Sequence, residues 1–102
     1  MTKPKIFPES PRELWSFFYD FTQIARPSKN EEKVLAYLKD FAERNSFEIK
    51  RDEAGNTLVR VPGRNGREND EPVLIQNHVD MVTDALPMIK VDFNNDPMQT
   101  EV

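Results

Sequence analysis

Apolar residues recur at helical spacing near the start of the chain. Leu14, Phe17, Phe18 and Phe21 lie on one stripe, Ile24 and Ala25 complete it, and Trp15 and Tyr19 widen it. Ser10-Pro11-Arg12-Glu13 offers a capping serine, a proline suited to the first helical position and a glutamate that returns the capping bond, so a helix is predicted from here. Arg26-Pro27 ends it, because the residue before proline is pushed out of the α region. A second capping box, Ser28-Lys29-Asn30-Glu31, then opens a helix with Val34, Leu35, Leu38, Phe41 and Ala42 on its apolar face. Its charged residues, among them Glu32, Lys39, Asp40, Glu43 and Arg44, read as a solvated face. The period then changes to two. Phe47 to Lys50 and Thr57 to Val61 read as the arms of a hairpin turned by Asp52 to Asn56. Pro62 to Pro72 reads as an exposed loop.

The next run differs in kind. Val73-Leu74-Ile75 is continuously apolar and not alternating, as expected of an inner strand covered on both faces in an α/β sheet. From Thr83 to Val102 the pattern fails: Pro87 and Pro97, few apolar positions and several acids suggest an irregular segment that packs against something else. The predicted fold class is α/β, with two N-terminal helices, a β-hairpin and one inner strand of a mixed sheet. A buried strand wants neighbours on both edges, so residues 1–102 read as an incomplete portion of a domain.

Composition narrows the functional classes. The chain has 102 residues, a net charge of -4 and no cysteine, which fits one small domain or part of a larger one and excludes disulfides and thiolate metal sites. No stretch is apolar enough for a signal peptide or a membrane span, so the cytoplasm is the default location and no membrane partner is expected. The 14 basic residues are scattered, which leaves no footprint for nucleic acid.

Candidate chemistry centres on the only histidine, His78, which stands two positions before Asp80 in Gln76-Asn77-His78-Val79-Asp80. On a strand both would point to the same face, at the carboxyl end where α/β sheets place ligands. A neutral imidazole can bind a divalent metal there, and the carboxylate can ligate it or orient the ring. The same pair also suits a structural histidine held by a carboxylate, and two donors fall short of the three or four protein ligands a metal site takes.

Three segments in order carry a resemblance: Ile24-Ala25-Arg26-Pro27-Ser28-Lys29-Asn30-Glu31-Glu32, then Arg51 to Asn56, then Pro72 to Val82. Together with Asp92-Phe93 and Asp96-Pro97, this order resembles the N-terminal part of the aminoacyl-histidine dipeptidases. These are cytosolic two-metal peptidases of the larger family that includes carboxypeptidase G and the aminoacylases. The resemblance implies that His78 binds one of two divalent ions, zinc foremost with manganese or cobalt as alternatives, and that Asp80 is the catalytic-site carboxylate that orients the imidazole. It also implies a small peptide substrate such as an Xaa-His dipeptide. The bridging aspartate, general-base glutamate, remaining ligands and separate lid or dimerisation domain come from later in such chains, so this chain alone is expected to be inactive. Asn77 stands where a glycine is common, and Thr83-Asp84-Ala85-Leu86 replaces a stretch usually containing Glu and Lys, which bears on substrate preference. The alternative is a complete non-catalytic α/β interaction module. In either case an exposed strand edge could drive homo-oligomerisation.

Overall fold

A computed structural model describes residues 3–101; Met1, Thr2 and Val102, the last of which ends the irregular segment expected from Thr83, lie outside the described residues. The order is α1 (Arg12–Gln23), α2 (Glu32–Arg44), β1 (Glu48–Arg51) and β2 (Thr57–Arg60). Two helices followed by an antiparallel pair give the expected α/β class. The chain divides into two compact units, Met1–Val34 with Val79–Val102, and Leu35–His78.

The first unit is built on aromatic packing. Phe7 is buried and meets the rings of Trp15, Phe18 and Tyr19 at centroid distances of 6.2, 6.2 and 5.5 Å. Tilted and edge-on contacts of this kind match the positive ring edge of one residue to the negative face of another. The anchor is therefore Phe7, outside the helix, and the inner face of α1 is rotated from the predicted stripe: Trp15 and Tyr19 are half-buried, while Leu14, Phe17 and Phe18 are exposed. The predicted capping box is not formed either. Pro11 itself takes the N-cap position with no side-chain capping bond, which leaves Ser10 one residue too far out to cap. The helix also ends at Gln23, earlier than proline alone requires, with the Ile24 N–H donating to the Phe21 carbonyl at 3.3 Å. Thr22 is buried inside the last turn. Its hydroxyl donates to the Tyr19 carbonyl at 2.6 Å, and its own carbonyl accepts the Met98 N–H at 2.8 Å, which ties the C-terminal segment to α1.

In the second unit the end of α2 follows from local geometry. Ser46 adopts φ 57, its N–H donates to the Glu43 carbonyl at 3.1 Å, and the Phe47 N–H donates to the Ala42 carbonyl at 2.8 Å. This paired return of two amides is the Schellman motif. Its usual apolar clasp is present as Phe47 against Phe41, with centroids 6.1 Å apart. The clasp delivers the chain into β1, which pairs with β2 in the register Glu48↔Arg60, Ile49↔Val59, Lys50↔Leu58 and Arg51↔Thr57. The intervening turn is closed by Asp52, whose carboxylate accepts the Asn56 N–H at 2.8 Å and the Asn56 side-chain amide at 2.9 Å. Those bonds, the side-chain one foremost, hold the Asp52 carboxyl below its ordinary range. Exposed pairs Lys39–Glu43 and Arg44–Asp40 confirm the solvated face of α2.

Two further expectations are corrected. The second capping box does not cap α2: the helix starts at Glu32, the Glu31 carboxylate accepts the Lys29 N–H at 2.9 Å, and the Ser28 hydroxyl is used elsewhere. The inner strand is not formed among the described residues. Val73, Leu74 and Ile75 are 86, 77 and 87% exposed, and the sheet contains only β1 and β2. A strand's backbone groups need a neighbour to bond to, and β1 and β2 pair only with each other.

Candidate functional site

Asp80 is held from both sides by the segment that leaves α1. Arg26 and Met81 are joined by a backbone bond, the Met81 N–H donating to the Arg26 carbonyl at 2.9 Å. Pro27 and Met81 then form an isolated parallel bridge. Arg26 also donates from Nη1 to the Val79 carbonyl at 2.9 Å, so the residues before and after Asp80 are both fixed by Arg26. The Ser28 hydroxyl donates to Oδ2 of Asp80 itself.

This segment, residues 26–28, acts as a strap on Asp80 and has its own supports. The Arg26 guanidinium lies 5.5 Å from the Phe21 ring centroid, a cation–π arrangement, and its Nε donates to the Phe21 carbonyl at 3.4 Å. Burial pulls the guanidinium below its usual range, while the nearby charge of Asp80 acts in the opposite sense. Pro27 is buried and opens a turn closed by the Asn30 N–H on the Pro27 carbonyl at 2.9 Å. Lys29 takes φ 70 in this turn, at the position where a type II turn ordinarily carries glycine or asparagine. Beyond the turn, the Asn30 amide donates to Asn94 Oδ1 at 2.8 Å, and Lys33 Nζ donates to the Asn94 carbonyl at 2.7 Å and to Asn95 Oδ1 at 3.0 Å. The loop so held is self-closed around Asp92, which accepts from the Asn94 N–H at 3.0 Å and the Asn95 amide at 2.8 Å. These bonds, the Asn95 amide first, lower the Asp92 carboxyl below its ordinary range, with Lys33 acting in the same direction. In the same unit a groove of about 630 Å³ includes Pro27, Met81, Ile89, Phe93 and Met98 in its lining, so the strap forms part of its wall.

His78 is the last residue of the second unit and is exposed, whereas Asp80 is half-buried in the first. Among the described residues, no three His, Cys, Asp or Glu side chains group together so as to hold a metal ion. A zinc centre takes about three or four protein ligands, so the described residues alone do not make a closed metal site. No helix among the described residues is long and apolar enough to cross a membrane.

No protein-family model matches the chain. Over 90 residues it is 39% identical to the cytosol non-specific dipeptidase of Escherichia coli (strain K12), a match covering 88% of this chain and 19% of that protein. The chain is homologous to a dipeptidase. In three dimensions it matches the crystal structure of aminoacylhistidine dipeptidase from Vibrio alginolyticus with a TM-score of 0.86 and 36% identity, over 91% of this chain and 19% of that one. The fold is thus that of part of a peptidase domain, and the chain spans about a fifth of the length of these relatives.

Arg26 and Ser28 are the residues that local sequence reasoning misassigns, as a helix end and a cap. Their partners lie more than fifty positions away, at Val79 and Asp80, and no local periodicity encodes that encounter. The signal that could have found them is their place in the first of the three segments that carry the dipeptidase resemblance.

Proposed function

We propose that this chain is part of the catalytic domain of a metal-dependent dipeptidase, and that it supplies one metal-ligand motif of that enzyme. His78 is the ligand to one of two divalent ions, and Asp80 is the carboxylate that orients the imidazole and strengthens it as a donor. Zinc suits an imidazole and carboxylate set, as do manganese and cobalt. When bound, such ions activate water for attack on a peptide carbonyl. What this chain's own residues contribute is one imidazole and a carboxylate whose place is fixed by Arg26 and Ser28. The substrate class is small dipeptides, Xaa-His among them, and the isolated chain is inactive because its donor set is incomplete. The cytoplasm is the proposed location, in keeping with the cytosolic relative.

The homology to the Escherichia coli dipeptidase carries this reading. To test it, the reading frame is expressed through to its natural stop and assayed on a panel of dipeptides including Xaa-His. Hydrolysis that is lost on chelation and in His78→Ala is the expected result. A product that cleaves no dipeptide in the presence of zinc, manganese or cobalt contradicts the proposal.

A further inference from the structure

We infer that Arg26 and Ser28 are positioning residues for Asp80: the strap they form fixes both the backbone and the carboxylate of that residue. The inference deepens the dipeptidase reading, because it assigns the residues that aim the carboxylate proposed above. Three contacts act on three consecutive residues. The Val79 carbonyl accepts from Arg26 Nη1, the Asp80 carboxylate accepts from the Ser28 hydroxyl, and the Met81 N–H donates to the Arg26 carbonyl. Backbone anchors on either side of Asp80 leave its Cα little freedom, and the hydroxyl then selects where the carboxylate lies. A hydrogen bond to a charged acceptor is roughly twice as strong as a neutral one, which suits it to holding an orientation.

The strap is shaped for this contact at a local cost. Lys29 sits in the left-handed region, where a side chain is disfavoured, and the turn it completes carries Ser28 to Asp80. Backbone held in a sparsely populated region persists where its surroundings fix it, and such residues cluster at functional sites. Arg26 is equally committed, since its guanidinium is stacked on Phe21 and bonded to the backbone at Phe21 and Val79. An arginine is required for this, because lysine lacks the planar fork that reaches two acceptors at once.

A strap that only stapled the fold would affect stability and leave the Asp80 carboxylate indifferent to Ser28. The experiment is carboxyl-carbon NMR on the full 102-residue chain with labelled aspartate, the Asp80 resonance being assigned with Asp80→Asn, and no metal added. In Ser28→Ala the Asp80 resonance is expected to move toward its position in the urea-unfolded chain, and in Ser28→Thr, which keeps the hydroxyl, to return. In Arg26→Lys, which removes the bond from Nη1 to the Val79 carbonyl, the Asp80 resonance is likewise expected to move toward its urea position, while the Lys50 and Leu58 amides of the hairpin keep their protection from hydrogen exchange as a control for folding. An Asp80 resonance unchanged in Ser28→Ala overturns the inference. So does a wild-type Asp80 resonance that already coincides with the urea value, a comparison that needs no variant to fold. Neither outcome depends on dipeptide hydrolysis, so a failed strap and a failed dipeptidase assignment are told apart.

Discussion

At the scale of single residues, short acidic side chains do much of the local shaping. Asp52 closes the hairpin turn through Asn56, and its carboxyl is held below the ordinary range by those bonds. A carboxyl lowered in the folded state stabilises it above the unfolded value, and that contribution is lost as pH falls through the lowered folded value. The turn should therefore loosen only on the acid side, with the Asn56 amide resonance moving as pH drops below the usual carboxylate range. In Asp52→Asn that pH dependence should vanish, and an unchanged profile would refute the assignment. Gly55, in the same turn, has φ +91, where a Cβ is strained even though the nearest atom is 3.7 Å away. Gly55→Ala is expected to lower stability by about 1 kcal/mol in thermal or urea unfolding. The turn was legible in Asp52-Glu53-Ala54-Gly55-Asn56 because each residue acts within five positions. Ser28 was not, because its hydroxyl has two local uses, cap or turn, and a distant carboxylate decided against both.

The elements show the same division. The hairpin and α2 were readable because their periodicity and punctuation are self-contained, down to the return of Phe47 onto Phe41. The cap of α2 invites a direct test. Ser46 holds the left-handed position that glycine fills at least strain, so Ser46→Gly should stabilise the chain by roughly 0.5 kcal/mol, the relief exceeding the added freedom of the unfolded state. Helix α1 was readable as a helix, yet its inner face was not, because Phe7 chose which rings to bury. Phe7→Ala removes the centre of that cluster and is expected to cost about 3 kcal/mol or more, enough to unfold the first unit if its margin is small. Unfolding followed by Trp15 fluorescence would show it. A loss under about 1 kcal/mol would mean that the aromatic cluster does not anchor this unit.

For the whole molecule, the element that failed to form is as informative as those that did. Val73-Leu74-Ile75 has the sequence of a covered strand and is exposed over most of its surface. Binary pattern states what a segment needs, and only neighbours in space can supply it. An exposed apolar run of this kind favours association, so the chain should sediment as larger species at rising concentration, and Ile75→Lys should return it toward monomer. A wild-type chain that stays monomeric at high concentration would contradict that expectation. The α/β class and the peptidase resemblance were legible from residue order alone, since three segments in sequence need no tertiary knowledge to be compared. The strap on Asp80 was not, since it exists only once the chain has closed on itself.

The central claim is that His78 is a metal ligand of a dipeptidase of which this chain holds only part of the donor set. A calorimetric zinc titration at neutral pH, run on the chain and on His78→Ala, tests it most directly. Weak, saturable binding by the wild-type chain that disappears in His78→Ala is the predicted result. Binding of equal strength in both chains, or none in either, would contradict it and return His78 to a structural role.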